Sequence, residues 1–322
     1  VVDSNSLENE RAVVERFSKQ YSNIVYHRTS QRETVYAAWN RGIELAHGEY
    51  FVNANTDDRF SPDALEVMAD SLDAYPEYDA AYGNWVYTRT PNDTFESSAA
   101  KLLFVYPEFH PGLFFYLQIT SHASFVRRSV IDKIGAFDSA YTVFGDREFM
   151  FRFSATGHKA LKLEKIVGLY QENPTSVERA NRDIGMQECA ALYDAYLIPE
   201  QFARLMGHDH DVSPTSLSRA YSEVGCFGMG LYQIDGNPSH ALGSPTRLFA
   251  KAIEMDPGNI EALNNMGVIA QYHQAKKDAL RFLENAASQA NDNQIKTIAH
   301  NQKMISRGVC DPDQLRFIYP SD

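Results

Sequence analysis

Cysteine is scarce in this sequence: Cys189, Cys226 and Cys310 are odd in number, scattered, and without a Cys-x-x-Cys pair. That pattern excludes a disulfide framework and a thiolate zinc site, and it reads as a reducing, cytoplasmic setting. Long hydrophobic runs are also missing. The nearest candidate, Leu102 to Ile119, is interrupted by Pro107, Glu108, His110 and Pro111, well short of the ~18 apolar residues of a membrane helix. No signal peptide is visible. Basic excess is absent too. With 30 Lys and Arg against 42 Asp and Glu, the net charge is −12, which argues against nucleic acid as a partner. An acidic protein that handles anionic ligands needs local compensation, and a divalent cation is the usual device. There is no initiator Met; the opening Val1-Val2-Asp3 reads as the end of a strand, with preceding structure missing.

What is present suffices for a normal core: 322 residues, 44% of them hydrophobic, or about two domains at ~100–200 residues each. Strand-like and helix-like segments alternate at first. After Val1-Val2 comes a turn at Ser4-Asn5-Ser6 and a helix within Leu7 to Tyr21, then a strand at Ile24-Val25-Tyr26. Val35 to Ala46 has helical spacing, with Gly48 as its C-cap. Tyr50-Phe51-Val52 is a strand, Pro62 to Ala74 a helix opened by proline, and Ala80-Ala81-Tyr82 another strand. Such alternation predicts an α/β fold, a largely parallel sheet with helices on both faces. Ligands of these sheets bind beyond the carboxyl ends of the strands, where Asp3 and the Asn55–Asp58 group both fall.

From about Pro199 the texture becomes Ala, Leu, Asn and Gln with helical period. Phe249, Ala252 and Pro257 match Leu283, Ala286 and Asn291 at a spacing of 34. This resembles a tetratricopeptide repeat. The predicted division is therefore 1–198 as the α/β domain and 199–322 as an all-α, tetratricopeptide-like region through which a protein partner could bind.

The strongest chemical signal is YFVNANTDDRFSPDALE. A strand delivers Asn55, Thr56, Asp57 and Asp58 into a turn before a helix, and paired carboxylates there suit Mg²⁺ or Mn²⁺ shared with substrate phosphates. The plainer reading is a helix start enriched in acids for its dipole.

On these residues the chain resembles the family 2 glycosyltransferases, GT-A enzymes that use nucleotide-diphospho-sugars. Their Asp-x-Asp motif holds a metal–diphosphate; here Asn55 replaces the first acid, leaving Asp57 and Asp58 as metal ligands, with Asn55 and Thr56 beside the donor. The opening VVDSNSLEN matches the family segment whose Asp contacts the nucleotide base, which implicates Asp3. Asn40 and Gly42 match an Ala-x-Asn-x-Gly helix lying under the nucleotide, and Arg28 and Arg32 before it are candidates for phosphate. In GAFDSAYTVFGDREFMFRFSATG, Asp146 corresponds to the base that takes the acceptor proton in an inverting transfer, with Glu148 as the fallback. His122, ahead of Arg127 and Arg128, is a candidate for the phosphate or acceptor pocket. A His that often completes the metal shell is missing; Gln171-Glu172 precedes Asn173-Pro174 instead, so Glu172 could supply an oxygen.

The resemblance implies a metal-dependent, hexosyltransferase-like enzyme of polysaccharide biosynthesis. It would move a sugar from a nucleotide-diphospho-sugar donor to a hydroxyl of a glycan, lipid-linked or protein acceptor, with contact at the inner membrane surface if that acceptor is lipid-linked. Two alternatives stand beside it. One is a non-catalytic interaction protein whose repeats do the work. The other is a nucleotidyltransferase, which would normally carry a Gly-rich, basic phosphate loop that is not seen here.

Overall fold

The computed structural model describes residues 1–98, 102–118, 124–174, 176–208, 211–235, 244–311 and 314–320. They fall into two compact units, Val1–Phe114 with Gln118–Ala195, and Phe115–Leu117 with Tyr196–Asp322.

The first unit is α/β. Strand β1 (Val2–Asp3) pairs in parallel with β2 (His27–Arg28), separated by helix α1 (Glu10–Ser18). Helix α2 (Val35–Leu45) starts at Thr34, whose hydroxyl accepts from the Ala37 amide at 3.3 Å, the usual N-cap bond. The second sheet runs β3 (Tyr50–Phe51), β7 (Phe125–Arg127), β5 (Ala80–Thr88), β8 (Ala160–Gln171), β4 (Arg59–Phe60), with β6 (Leu102–Phe104) on β5. Helix α3 (Ala64–Ala74) buries Ala64, Met68 and Leu72, spaced by one helical turn each, so one face packs inward.

The α/β class is as the alternation predicts, but the pairing is mixed. Besides β1 with β2, the parallel pairing among the described residues is the long β5–β8 ladder; β3–β7, β5–β7, β5–β6 and β4–β8 are antiparallel. β5 and β8 are separated in the chain by the helices within 128–155, the crossover that a parallel pair requires, whereas the short strands β3, β4, β6 and β7 join antiparallel.

β5 is buried along most of its length and carries Trp85 at its centre. Two glycines make the ladder possible. A Cβ on Gly168 would lie 2.3 Å from the Trp85 ring, and one on Gly83 would lie 2.7 Å from the Lys165 carbonyl. On the helical side, α4 (Arg128–Ile134) is followed by α5 (Gly145–Ala155), which buries Phe149, Met150, Phe151 and Phe153. These buried side chains lie on more than one side of the helix, which places it within the core despite its charged first turn. Each such side chain contributes roughly 2–3 kcal/mol by burial. Helices α6 (Val177–Ala180) and α7 (Arg182–Tyr196) close the α/β part of the chain.

The second unit is helical: α8 (Pro199–Leu205), α9 (Pro214–Asp235), α10 (Ser244–Met255), α11 (Ile260–Tyr272), α12 (Lys276–Ala287) and α13 (Asp292–Ser306). Phe249, Ala252, Leu283 and Ala286, the pairs matched at the sequence spacing, are all fully buried. Gly267 lets α11 and α12 close up, since a Cβ there would come within 2.9 Å of Leu283. No helix among the described residues is long and apolar enough to cross a membrane.

Candidate active site

The site is built on α2, the turn after β3, and the start of α5. In the turn, the Asn55 amide donates to Asp58 Oδ2 at 3.0 Å, and the Gln171 amide at the end of β8 donates to Asp58 Oδ1 at 3.1 Å. Asp58 is half-buried, and that desolvation pushes its carboxyl up to about 6, with the charge of Asp57 contributing in the same direction. Asp57 has no hydrogen bond or ion pair among the described residues. The Thr56 side chain is exposed, and its carbonyl accepts from the Arg59 guanidinium at 3.2 Å.

Asp146 lies in the first turn of α5. Its Oδ1 accepts from its neighbour's amide, Arg147 N, at 2.8 Å and from the Tyr36 hydroxyl at 3.3 Å, while Oδ2 accepts nothing among the described residues. Burial raises the Asp146 carboxyl above the ordinary range for an aspartic acid. The residue lines a cavity of about 20 Å³ together with Asn53, Gln118 and Ser124, and the Gln118 Oε1 is buried without a donor among the described residues. A space of this size, polar on several sides, holds one water or one hydroxyl. Asn53 in turn reaches Asn55 at 3.5 Å, joining this cavity to the acidic turn.

Two elements fix the start of α5. From α2, the Tyr36 hydroxyl donates to the Val143 carbonyl at 2.6 Å, and the Asn40 side chain donates to Phe137 O at 2.7 Å and accepts from Phe137 N at 3.0 Å. Gly145 leaves room for the Tyr36 ring, since a Cβ there would stand 2.7 Å from it. From α7, the Glu188 carboxylate accepts from the amides of Thr142, Val143 and Phe144 at 2.6, 2.9 and 3.0 Å. Three successive N–H groups ahead of a helix form an anion-binding nest, and here the chain fills its own.

The other sequence candidates are placed as follows. Glu148 accepts from Arg152 Nε and Nη2, each at 2.8 Å, and two residues along a helix it points well away from Asp146. Asp3 is enclosed: its side chain is 0% exposed, with donors from the Tyr26 hydroxyl, the Ser6 amide and the Arg28 guanidinium. These hold its carboxyl below the usual range, the tyrosine bond most strongly. Neighbouring Ser4 anchors the approach to α2 through the Glu33 amide at 2.5 Å. Arg32 is exposed and free of partners among the described residues. Glu172 is ion-paired with Arg89 and Arg179, so its charge is already met. His122 lies outside the described residues. The structure thus groups Asn55, Asp58 and Asp57, links them through Asn53 to Asp146, and keeps Asp3 in an enclosed cluster of its own. Sequence reasoning passed over Tyr36, Asn53, Gln118 and Glu188. Tyr36 had a signal, since it precedes Asn40 by one helical turn; the others had none.

A divalent cation suits the turn. A partner-free Asp57 beside an under-neutralised Asp58 is the charge balance that a hard cation corrects, and both offer the oxygens it prefers. No group of three His, Cys, Asp or Glu side chains among the described residues could hold an ion, so the rest of the shell would come from other oxygens.

Comparison with known proteins follows the same lines. Residues 1–135 match the family model for Glycosyl transferase family 2. Residues 1–349 of S. aureus TarS, solved with UDP-GlcNAc, are 14% identical with a TM-score of 0.50, covering 96% of this chain and 82% of that one. The chain has the GT-A fold. The mannosyltransferase PcManGT from Pyrobaculum calidifontis, solved with GDP-Man and Mn²⁺, is 14% identical with a TM-score of 0.47, covering 96% of this chain and 75% of that one. No curated protein sequence matches significantly.

Proposed function

We propose that the α/β unit is a glycosyltransferase that moves a sugar from a nucleotide-diphosphate donor to an acceptor hydroxyl, with Asp146 as the general base. One observation carries this reading. A carboxylate raised by burial, with Oδ2 unengaged, faces a space for a single hydroxyl, and that space is tied through Asn53 to a turn bearing two under-neutralised acids. A base works best when its pKa approaches the operating pH. Asp146 therefore takes the acceptor proton, and activity rises with pH as this raised group ionises. Glu148, neutralised by Arg152, is unsuited to the task.

Asp57 and Asp58 would hold Mg²⁺ or Mn²⁺, which when bound stabilises charge on a departing diphosphate. Asn55 and Thr56 border that position, and free Arg32 is assigned to the donor phosphates. Asp3, held with Tyr26 and Arg28, marks the nucleotide-base end, and Asn40 and Tyr36 keep α5 in place. Displacement by the acceptor oxygen from the face opposite the diphosphate gives inversion. The resemblance to Glycosyl transferase family 2 over residues 1–135 supports the class of reaction. The acceptor is a hydroxyl of a glycan, a lipid-linked precursor or a protein, and the helical unit is proposed as a repeat-type partner module.

The test is nucleotide-diphosphate release from a panel of sugar nucleotides, with and without Mn²⁺. One donor should turn over, and only with the cation. If no nucleotide binds in the presence of Mn²⁺, the reading fails.

A further inference from the structure

The half-buried arginines of the α/β unit have their charge met, with one exception. Arg41, Arg128 and Arg152 face the carboxylates of Glu33, Asp132 and Glu148. Arg59 and Arg127 donate to main-chain carbonyls. The exception is Arg147, which follows Asp146 in the first turn of α5. Its Nη1 donates to the Tyr193 hydroxyl on α7 at 2.8 Å, and its guanidinium stands 4.8 Å from the centre of the Phe144 ring. Nε and Nη2 have no acceptor, and the side chain has no ion pair, among the described residues.

This cation is held in place. Tyr193 is buried, and its hydroxyl reaches the Phe114 carbonyl at 3.4 Å, so the group that receives the Arg147 bond is itself fixed. Phe144, on the other side, is tied to Glu188 through its amide. A guanidinium does not shed its proton, and a hydroxyl with a ring face compensates only part of the desolvation of a charge. Keeping such a charge half-buried costs stability, and the cost falls when a counter-charge arrives.

The neighbour says what arrives. Burial raises the Asp146 carboxyl, and the charge of Arg147 is the largest influence acting against that rise. A group bonded to Arg147 therefore stands beside the hydroxyl whose proton Asp146 takes, and it is an anion. The donor diphosphate has its own place at Asp57 and Asp58, so the anion belongs to the acceptor. Nε and Nη2 together form the edge of a guanidinium that a phosphate or carboxylate meets with two parallel hydrogen bonds.

We propose that Arg147 binds an anionic group of the acceptor, a phosphate or carboxylate carried next to the reacting hydroxyl, so that the acceptor is an acidic glycan or polyol and not a neutral sugar. The inference rests on the reading of Asp146 as the base. Binding also acts back on that base. Once an anion neutralises Arg147, the guanidinium pulls less on Asp146, and the carboxylate takes a proton more readily with the acceptor in place.

The test measures binding to the full chain without donor or metal, so it does not depend on turnover. Calorimetric titration compares glycerol 3-phosphate and glucuronate with glycerol and glucose, their uncharged counterparts. At least one of the two acids should bind, the tighter one identifying phosphate or carboxylate as the recognised group, and the uncharged pair should bind at least about tenfold more weakly. Arg147→Gln should weaken binding of the acid at least about tenfold, and Arg147→Lys should keep part of the affinity. Asp146→Asn should strengthen it a few fold, because a like charge beside the anion is gone. The acid should raise the melting temperature of the parent and leave that of Arg147→Gln unchanged. Should Arg147→Gln fail to fold, Asp146→Asn decides, and an affinity equal to the parent's overturns the proposal. Binding of neither acid, or equal binding by the parent and Arg147→Gln, overturns it too. Either failure leaves the transferase reading to its own test with donor and Mn²⁺.

Discussion

The two units treat their buried polar groups in opposite ways. In the α/β unit, the acids at the candidate site are left short of partners: Asp57 has none among the described residues, Asp146 Oδ2 accepts nothing there, and Asp58 is raised to about 6. In the helical unit, the buried groups are neutral amides, and each of Asn264, Asn265 and Asn301 is matched to a main chain. A folding core has no reason to keep under-neutralised carboxylates, because desolvating a charge is expensive. Their retention is what the proposed transfer of charge and protons needs. The paired amides instead fix one segment of the chain's own backbone.

The sharpest way to break this contrast is Asp146→Asn. It keeps the size and the bond to the Arg147 amide but removes the base. Transfer should fall roughly 10³-fold, about 4 kcal/mol of barrier, while donor binding measured by titration stays within a few fold. A variant that turns over at the parental rate would show that the free carboxylate is incidental.

The matching change in the other unit is Asn265→Ala. It leaves the Ile318 N–H and C=O buried without partners, and two such groups should lower stability by about 2 kcal/mol. Thermal denaturation reads this directly. Mn²⁺-dependent nucleotide binding should not move, and if it does, the separation of roles between the units is wrong.

Asp58→Asn should act in the opposite direction on stability. Its folded-state carboxyl titrates near 6 against an ordinary 3.8, so the folded chain binds that proton more tightly than the unfolded one. The contribution of this group to stability is therefore largest below about pH 4 and declines as pH rises towards 6. The asparagine keeps an acceptor for the Gln171 amide and removes the decline. At pH 7 without metal the variant should be about 1–2 kcal/mol more stable than the parent, a figure reduced for the solvent that reaches this half-buried group, and at pH 4 nearly equal. Added Mn²⁺ should raise the parent's melting temperature more at pH 7 than at pH 5 and leave the variant's nearly unchanged. A variant less stable at pH 7 would contradict the under-neutralised reading.

How much of this could be read beforehand depended on the range of the interactions. Helix α2 was expected at Val35 to Ala46 and spans Val35–Leu45, because its apolar spacing and its Thr34 cap are local. Asp146 was singled out through the family resemblance, whose signature places an acid after a Gly-x-Phe-Asp turn. The antiparallel insertion of β7 between β3 and β5 was not legible, since short strands give no sign of their pairing direction. Asn53 and Gln118 were passed over because a cavity joins residues that no periodicity connects. The amide row failed to register for a related reason. Asn264 and Asn265 look like solvated helix positions until the segment at 316–318 is laid against them.

The smallest expected effect tests the longest of these hidden links. Glu188 gathers the amides of Thr142, Val143 and Phe144, and through them the start of the helix that carries Asp146. Phe144 at the N-cap offers no side-chain bond of its own, so the cap comes from α7. Glu188→Gln leaves one carbonyl oxygen for three donors and removes a negative charge from a helix N-terminus, together about 1 kcal/mol. Hydrogen exchange at residues 142–144 should quicken, and kcat should fall a few fold with donor KM unchanged, because the base is displaced but the donor contacts are not. Restoring the charge with Asp in place of Gln should recover part of the protection. If exchange and kcat both match the parent, the nest is decoration, and α2 alone holds Asp146 in place.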